Sequence, residues 1–432
     1  MSRRILLATM GSLGDLHPFI AIALQLKAHG YEPLLATNPH FRDNVEAAGI
    51  RFHPVRPSRA DLTRETGLEV PQLGRLVMRD MFALMDRAVY PFLQASYEDV
   101  RCALDGTALV LTSALSFAAR FAADKVGIPR MAVALQPMNL VSIYDPPAVD
   151  PAPWSAAILR RLGPLATRAV YEPAKWLISQ RAGALHRFRR EIGLPASRVN
   201  PVYEGQFSEH GTLAMYSPLL GSMQPDYPPH TQITGFAFYD GERVLPASES
   251  SSLAAFLDAG PAPLVFTLGS FAIEFADDFF EIAARVSRTL RERALFIADT
   301  ATVERFRSRE SRALHICDYA RYSEVFPRAR VIVHQGGIGT TAQALRAGKP
   351  QLIVSFLADQ PDNAARLQRL GVARSLPRTR YRTDRLLAEL TALLTRPAYV
   401  QRSGEVGVIV AREDGASRAA QFVDRFFAGT SA

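Results

Sequence analysis

Residues 331–350 read VIVHQGGIGTTAQALRAGKP. A buried strand ends at His334, the chain turns through Gln335, Gly336, Gly337, Ile338 and Gly339, and a helix opens at Thr340. Three glycines in four positions let the backbone approach a ligand closely, and a helix N-terminus presents unpaired N–H groups with a favourable dipole. Thr340 and Thr341 add hydroxyl donors, and His334 is placed to donate an imidazole hydrogen bond to a phosphoryl oxygen. The stretch therefore predicts an anion-binding turn of an α/β domain. Other phosphate-binding turns fit less well. No G-x-G-x-x-G follows the first strand, and Gly348-Lys349 is followed by Pro350 rather than by Ser or Thr. That argues against a dinucleotide-dependent dehydrogenase and against a P-loop nucleotidase.

Outward from this turn, short apolar runs alternate with helical patterns, the signature of parallel sheets covered by helices. Strands are predicted at 5–9, 33–37, 52–55, 108–112 and 131–135, and again at 264–268, 294–298, 314–317, 331–334 and 351–355. Helices are predicted at 19–28, 41–48, 117–125, 275–291, 339–347 and 363–370. Two doubly wound, Rossmann-like halves are the economical reading: a first domain over 1–235, a linker at 236–246 and a second domain over 247–410. Gly235 and Gly241 break the pattern there before a serine-rich stretch. A terminal helix within 411–432 is expected to pack back on the first domain. Residues 138–205 differ, being rich in proline and aromatics and then amphipathic, with Trp154, Tyr171, Trp176 and Leu177. They read either as extra helical packing or as an apolar wall for a substrate.

The chain has 432 residues and a net charge of +8. Its basic residues are scattered rather than clustered with aromatics, which argues against nucleic-acid binding. A basic surface leaves room for anionic small molecules or peripheral membrane contact. Lysine stands at only four positions, a skew that codon usage in a GC-rich genome explains. Two cysteines, Cys102 and Cys317, make neither a disulfide framework nor a zinc site, so a reducing, cytoplasmic setting is expected. The apolar run at 5–10 is too short for a signal peptide, and nothing approaches the roughly 20 apolar residues of a membrane span.

The phosphate turn, together with Gly348, Pro350 and the run Asp359-Gln360-Pro361-Asp362-Asn363-Ala364, resembles the donor-binding signature of the UDP-glycosyltransferase superfamily. The chain as a whole is similar to bacterial members that glycosylate lipids, polyketides or flavonoids, including rhamnolipid rhamnosyltransferases. The resemblance implies a GT-B fold, two Rossmann-like domains facing a central cleft. It implies that His334, Gly336, Gly337, Gly339 and Thr340 hold the donor diphosphate with help from Ser270. It implies further that Tyr319 and Ala320 meet the nucleoside base, and that Asp359 and Gln360 bond the sugar hydroxyls. Asp359 read by itself also suits a helix N-cap, and the two roles can coexist. Arg321 and Tyr322 stand where many members carry proline and glutamine.

A second constellation follows the first strand: Gly11-Ser12-Leu13-Gly14-Asp15-Leu16-His17-Pro18. Asp15 and His17 fall at the carboxyl edge of the sheet, the usual ligand crevice of open α/β folds. By the resemblance, Asp15 is the general base that takes the acceptor's proton, with His17 as its alternative; Asp15 read by itself also suits a helix cap. No supporting relay is evident at Leu111-Thr112-Ser113-Ala114.

Met138, Ile143, Tyr144, Trp154 and Phe271 are candidates to line an acceptor cleft, although aromatics in such a segment also serve ordinary packing. The expected activity is metal-independent, inverting transfer of a hexose or deoxyhexose. The donor would be a UDP- or dTDP-sugar and the acceptor a hydroxyl of a hydrophobic small molecule. The nucleotide sugar is then a co-substrate, and no cofactor is expected. A nucleotide-sugar epimerase and a non-catalytic nucleotide-sugar sensor are the alternatives.

Overall fold

The computed structural model of the chain describes residues 3–80, 82–150, 152–241 and 246–430. They form two compact units: Met1–Ala148, Trp154–Tyr239 and Asp414–Ala432 make the first, and Val149–Pro153 with Asp240–Glu413 the second. The stretch 149–153, read from sequence with the first domain, thus counts with the second. Of the expected linker, 236–239 close the first unit, Asp240 opens the second, and 242–245 lie outside the described residues.

The first unit is a seven-stranded parallel sheet of β1 (Arg4–Ala8), β2 (Glu32–Thr37), β3 (Arg51–Pro54), β4 (Thr107–Thr112), β5 (Arg130–Ala134), β6 (Thr212–Ala214) and β7 (Thr231–Ile233). Their spatial order is β3-β2-β1-β4-β5-β6-β7. The second unit has β8 (Leu264–Thr267), β9 (Ala294–Ile297), β10 (Leu314–Cys317), β11 (Val331–His334), β12 (Gln351–Ile353) and β13 (Ala373–Ser375), in the order β10-β9-β8-β11-β12-β13. In each unit the chain starts on a central strand, winds outward, then crosses to the other side. The crevice at which it switches therefore opens beyond the carboxyl ends of β1 and β4 in one unit and of β8 and β11 in the other.

Strands with continuous apolar runs take the middle because parallel crossovers cover both faces with helices. Ile5, Leu6 and Leu7 on β1, and Val265 and Phe266 on β8, are wholly buried. On one face of the second sheet Phe266, Phe279, Phe280, Phe296 and Phe306 form an aromatic cluster with edge-on contacts between rings, such as 5.4 Å from Phe266 to Phe296. The other face packs Phe256, Leu295, Val325 and Phe326.

The helices that position the site or carry later argument are, in the first unit, α1 (Leu13–Ala28), α2 (Phe117–Val126), α3 (Ser155–Leu162), α4 (Pro164–Arg181) and α5 (Gly183–Glu191). The second unit contributes α6 (Phe279–Leu290), α7 (Ile338–Arg346), α8 (Gln360–Leu370) and α9 (Pro397–Val410), and α10 (Gly415–Thr430) returns to the first. On α10, Asp424 takes hydrogen bonds at 2.6 Å from His29 and 2.8 Å from Tyr31, and Phe427 packs on the Tyr31 ring.

Several expectations are corrected. The helix predicted at 19–28 begins at Leu13, because Ser12 and Asp15 form a capping box that starts it six residues earlier and leaves Pro18 inside it. The helix predicted from 275 begins at Phe279, since Asp277 takes a left-handed φ of 45°. Strands β6, β7 and β13 were not predicted; each has three residues, too few for a periodic signal.

Candidate active site

At the switch point of the second unit, β11 delivers His334 and the chain reverses through Gln335, Gly336 and Gly337 into α7. Gly336 has φ +90°, and a Cβ there would stand 2.6 Å from Ile353 Cγ2 on the neighbouring strand, so the turn admits no side chain. Gly337 is the N-cap of α7 and no side chain caps the helix. Its first-turn N–H groups, including those of Gly339 and Thr340, are therefore open to an anion. Across the crevice, Gly269 follows β8 with φ +63°, and Ser270 is exposed beside it. The Gln335 side chain fills the gap between the two glycines: a Cβ would meet its Nε2 at 2.3 Å from Gly269 and at 2.7 Å from Gly337. The buried Oε1 of this amide and the buried hydroxyl of Thr341 have no hydrogen-bond partner among the described residues. Such groups are costly unless a ligand completes them.

His334, which the resemblance sets against the donor diphosphate, is engaged within the turn itself. Its ring is fully buried, with Nδ1 accepting from the Gly336 N–H at 3.1 Å and Nε2 against Gln351 Oε1 at 3.0 Å. The proton therefore sits on Nε2 and is given to Gln351. Burial lowers the pKa from its usual 6.5 to about 4, so the ring stays neutral. With both nitrogens engaged, His334 clamps the glycine turn; direct donation to a phosphoryl oxygen would break one of these bonds.

The sugar-side pair is also built into the fold. Gln360 Oε1 accepts from the N–H groups of Phe356 at 2.7 Å and Leu357 at 3.3 Å, which pins the loop ahead of α8. Asp359 is the N-cap residue of α8 but makes no side-chain cap bond; its Oδ2 accepts from Asn363 Nδ2 at 2.7 Å. The same Asn363 amide donates to Gly336 O at 2.9 Å, so one side chain ties Asp359 to the glycine turn. Ala358, just before, holds a left-handed φ of 58°, the kind of local strain that persists where surrounding structure fixes a functional segment.

Tyr319 is half-buried and donates to Asp240 O at 3.3 Å, and Ala320 is buried beneath it. The departure at 321–322 has a structural role. The Tyr322 hydroxyl meets Thr267 Oγ1 at 2.9 Å and also bonds Thr340, joining the ends of β10 and β8 to the start of α7. Burial raises its pKa, so it stays a neutral phenol. Asp240 accepts from Gln343 Nε2 at 2.7 Å and from Arg346 at 3.1 Å, which fastens the start of this unit onto α7. Sequence reading missed Asn363, Gln351 and Asp240 as site-builders. Only Asn363 carried a signal, its spacing of four from Asp359 on a helix.

At the switch point of the first unit, Asp15 stands in the first turn of α1. Its Oδ2 accepts from the Ser12 N–H at 2.8 Å and the Ser12 hydroxyl at 3.2 Å, and no other side chain among the described residues bonds the carboxylate. Gly11 has φ +140°, and a Cβ there would lie 2.2 Å from Oδ2, so the carboxylate occupies the space glycine leaves. Burial raises the Asp15 pKa from its usual 3.8, against the lowering effect of the Ser12 bonds. The cap and a base are thus compatible uses of one carboxyl group. His17 packs edge-on against Tyr239 at 5.4 Å. Beside β1, Ser113 and Ser116 bond each other at 2.8 Å and Ser116 donates to Ala8 O, tying down the end of β4.

The acceptor candidates differ in burial and in what they line. Met138 lies in the turn after β5, half-buried. Ile143 donates its N–H to Asp226 at 2.8 Å and lines a cavity of about 420 Å³ with Tyr171, Tyr203 and Tyr227, while Tyr144 and Trp154 are exposed. The side chain of Phe271 lies outside the described residues.

Two such units, one with a desolvated carboxyl group at its switch point and the other with an uncapped glycine turn, have the architecture of GT-B enzymes. Residues 5–132 match the glycosyltransferase family 28 N-terminal domain, and residues 311–419 match the C-terminal domain of erythromycin biosynthesis protein CIII-like proteins. The solved glycosyltransferase of kitacinnamycin superposes with a TM-score of 0.69 at 20% identity over 98% of each chain. Glycosyltransferase VinC, solved in complex with dTDP, gives 0.66 at 18% over 98% of this chain and 99% of its own. The O-mycaminosyltylonolide 6-deoxyallosyltransferase of Streptomyces fradiae is 31% identical over 437 residues, covering 98% of this chain and 97% of the relative. Vancomycin aglycone glucosyltransferase of Amycolatopsis orientalis is 29% identical over 97% of both chains. The chain belongs to this family of GT-B glycosyltransferases, of antibiotic or natural-product type, and it is an enzyme.

Proposed function

We propose that the protein transfers a hexose or deoxyhexose from a dTDP- or UDP-sugar to a hydroxyl of a hydrophobic natural product, with inversion at the anomeric carbon and without a metal or cofactor. The observation that carries this reading is Asp15: a desolvated carboxylate with a raised pKa in the first turn of α1, bonded among the described side chains by the Ser12 cap alone. A hydroxyl is a weak nucleophile, and a positioned carboxylate takes its proton as the new bond forms. In the proposed step the acceptor oxygen attacks C1 of the sugar while its proton passes to Asp15. The C1–O bond to the diphosphate breaks, and the electron pair leaves on the phosphate oxygen. The open N-terminus of α7 and the Thr340 hydroxyl would stabilise that charge, an electrostatic contribution that needs no metal.

The relatives named above act on a macrolide and on a glycopeptide aglycone, and VinC holds dTDP. This supports a polyketide-like acceptor and a dTDP donor over flavonoid and lipid acceptors and over UDP. The test incubates the protein with dTDP-rhamnose, dTDP-glucose, UDP-glucose and UDP-galactose against macrolide, flavonoid and hydroxy-lipid acceptors, read by mass spectrometry with and without EDTA. Expected is an acceptor gaining one sugar mass at a rate EDTA leaves unchanged. Donor consumption without a glycosylated product, or loss of turnover in EDTA restored by magnesium, would overturn the reading.

A further inference from the structure

Both tryptophans of the chain, Trp154 and Trp176, are about two-thirds exposed, at 65% and 64%. Trp154 is the N-cap residue of α3 and Trp176 lies on α4, two consecutive helices joined at Gly163. From Trp154, Ile158 and Leu162 recur at intervals of four along α3. Along α4, Leu165, Ala169, Pro173 and then Trp176 and Leu177 follow at intervals of three or four. Every one of these residues is exposed, Leu165 to 81%. Each helix buries few residues, Ala156 on α3 and Thr167 on α4. Single exposed apolar residues need no explanation, but two continuous helical stripes do.

The charge around the stripes is predominantly positive. In residues 154–191, eight Lys and Arg side chains face two Glu. Arg160, Lys175 and Arg189 are paired with Asp145, Glu204 and Asp124. Arg161, Arg168, Arg181, Arg187 and Arg190 are exposed and have no ion pair among the described residues. No helix among the described residues is long and apolar enough to cross a membrane, so the stripes do not belong to a span.

We propose that α3 and α4 dock on the surface of an anionic phospholipid bilayer. Tryptophan and leucine would enter the boundary between headgroups and acyl chains, and the arginines would extend to lipid phosphates. Tryptophan suits that depth because its ring is apolar and its indole N–H needs a polar partner. A second copy of the chain fits less well: a two-fold contact would set the same arginines against each other. A small acceptor fits less well too, since Trp154, Leu162, Leu165 and Trp176 line neither of two cavities in the first unit, of about 500 and 420 Å³. The proposal does not depend on the reaction assigned above.

The experiment uses the full chain with vesicles of phosphatidylcholine alone or mixed with phosphatidylglycerol, read by co-sedimentation and by tryptophan emission. Because both tryptophans lie on this face, the emission reports on it directly. Expected is pelleting with the phosphatidylglycerol vesicles only, a blue shift, quenching by brominated lipid, and release by salt. W176S/L177S and R161E/R181E/R187E should each lower vesicle affinity by roughly tenfold or more, with dTDP affinity and the unfolding transition as checks on folding. Wild-type protein that stays in the supernatant with unshifted emission overturns the proposal. So does a concentration-dependent dimer without vesicle binding, which would give the face to a second copy.

Discussion

Asp15 Oδ2 closes the α1 cap with Ser12, and the base role proposed for Asp15 would fall to the same carboxyl group. Asp15→Asn keeps the size and removes the base, so kcat should fall by roughly 10²- to 10⁴-fold while dTDP affinity, measured by calorimetry, stays unchanged. Only the ionised carboxylate accepts a proton. Because burial raises its pKa, kcat/KM should fall on the acid side at a pH above the usual 3.8 of an aspartate, and stopped assays across pH read this limb. His334 gives a separate pH signature. Its native pKa of about 4 lies below the usual 6.5, so unfolding takes up a proton between those values. The stability it contributes is complete above about pH 6.5 and is lost as pH falls towards 4, on the order of 3 kcal/mol. Urea midpoints followed over that range should show the loss in wild type and a shallower one in His334→Gln. The glycines and Asp15 were legible in the sequence because backbone conformation and an unusual charged turn residue are local. The engagement of His334 by Gln351 was not, because seventeen residues separate partners that only strand pairing brings together.

At the scale of elements, α8 is the helix on which the glycine turn depends. Asp362 and Arg366 form a fully buried ion pair at 2.7 Å within it, one turn apart. Asp362→Ala removes the carboxylate that pairs with the buried guanidinium, which should cost about 3–5 kcal/mol in chemical denaturation, whereas exposed pairs such as Arg42–Glu46 should cost under about 1 kcal/mol. Asn363→Ala cuts both bonds that join Asp359 and Gly336, so donor KM should rise severalfold to tenfold. Titrating the donor sugar against Asn363→Ala checks this, and a KM equal to wild type would remove Asn363 from the site. Long apolar strands and amphipathic helices were readable because their periods span many residues. β6, β7 and β13 were not: TLA, TQI and ARS become strands only by pairing with β5, β6 and β12, which have edges to offer.

At the scale of the whole molecule, the first unit is completed by the last helix of the chain. Ala419, Ala420 and Val423 of α10 are wholly buried, and Asp424 holds His29 and Tyr31. Ending the chain at Glu413 should therefore lower the melting temperature of the first unit by several degrees, read by calorimetry, while the second unit still binds dTDP. The sequence by itself determined the α/β class, the two wound halves, the glycine turn before α7 and the placement of Asp15 after β1. All of these follow from composition, periodicity and backbone chemistry within a few consecutive residues. Only the tertiary structure decided that His334 and Gln360 serve the turn and the loop rather than standing free. The same holds for Tyr322, which joins two strand ends to the start of α7, and for both tryptophans, which face solvent. Each of these depends on which side chains pairing and packing bring within hydrogen-bond or van der Waals distance, and no spacing along the chain encodes that.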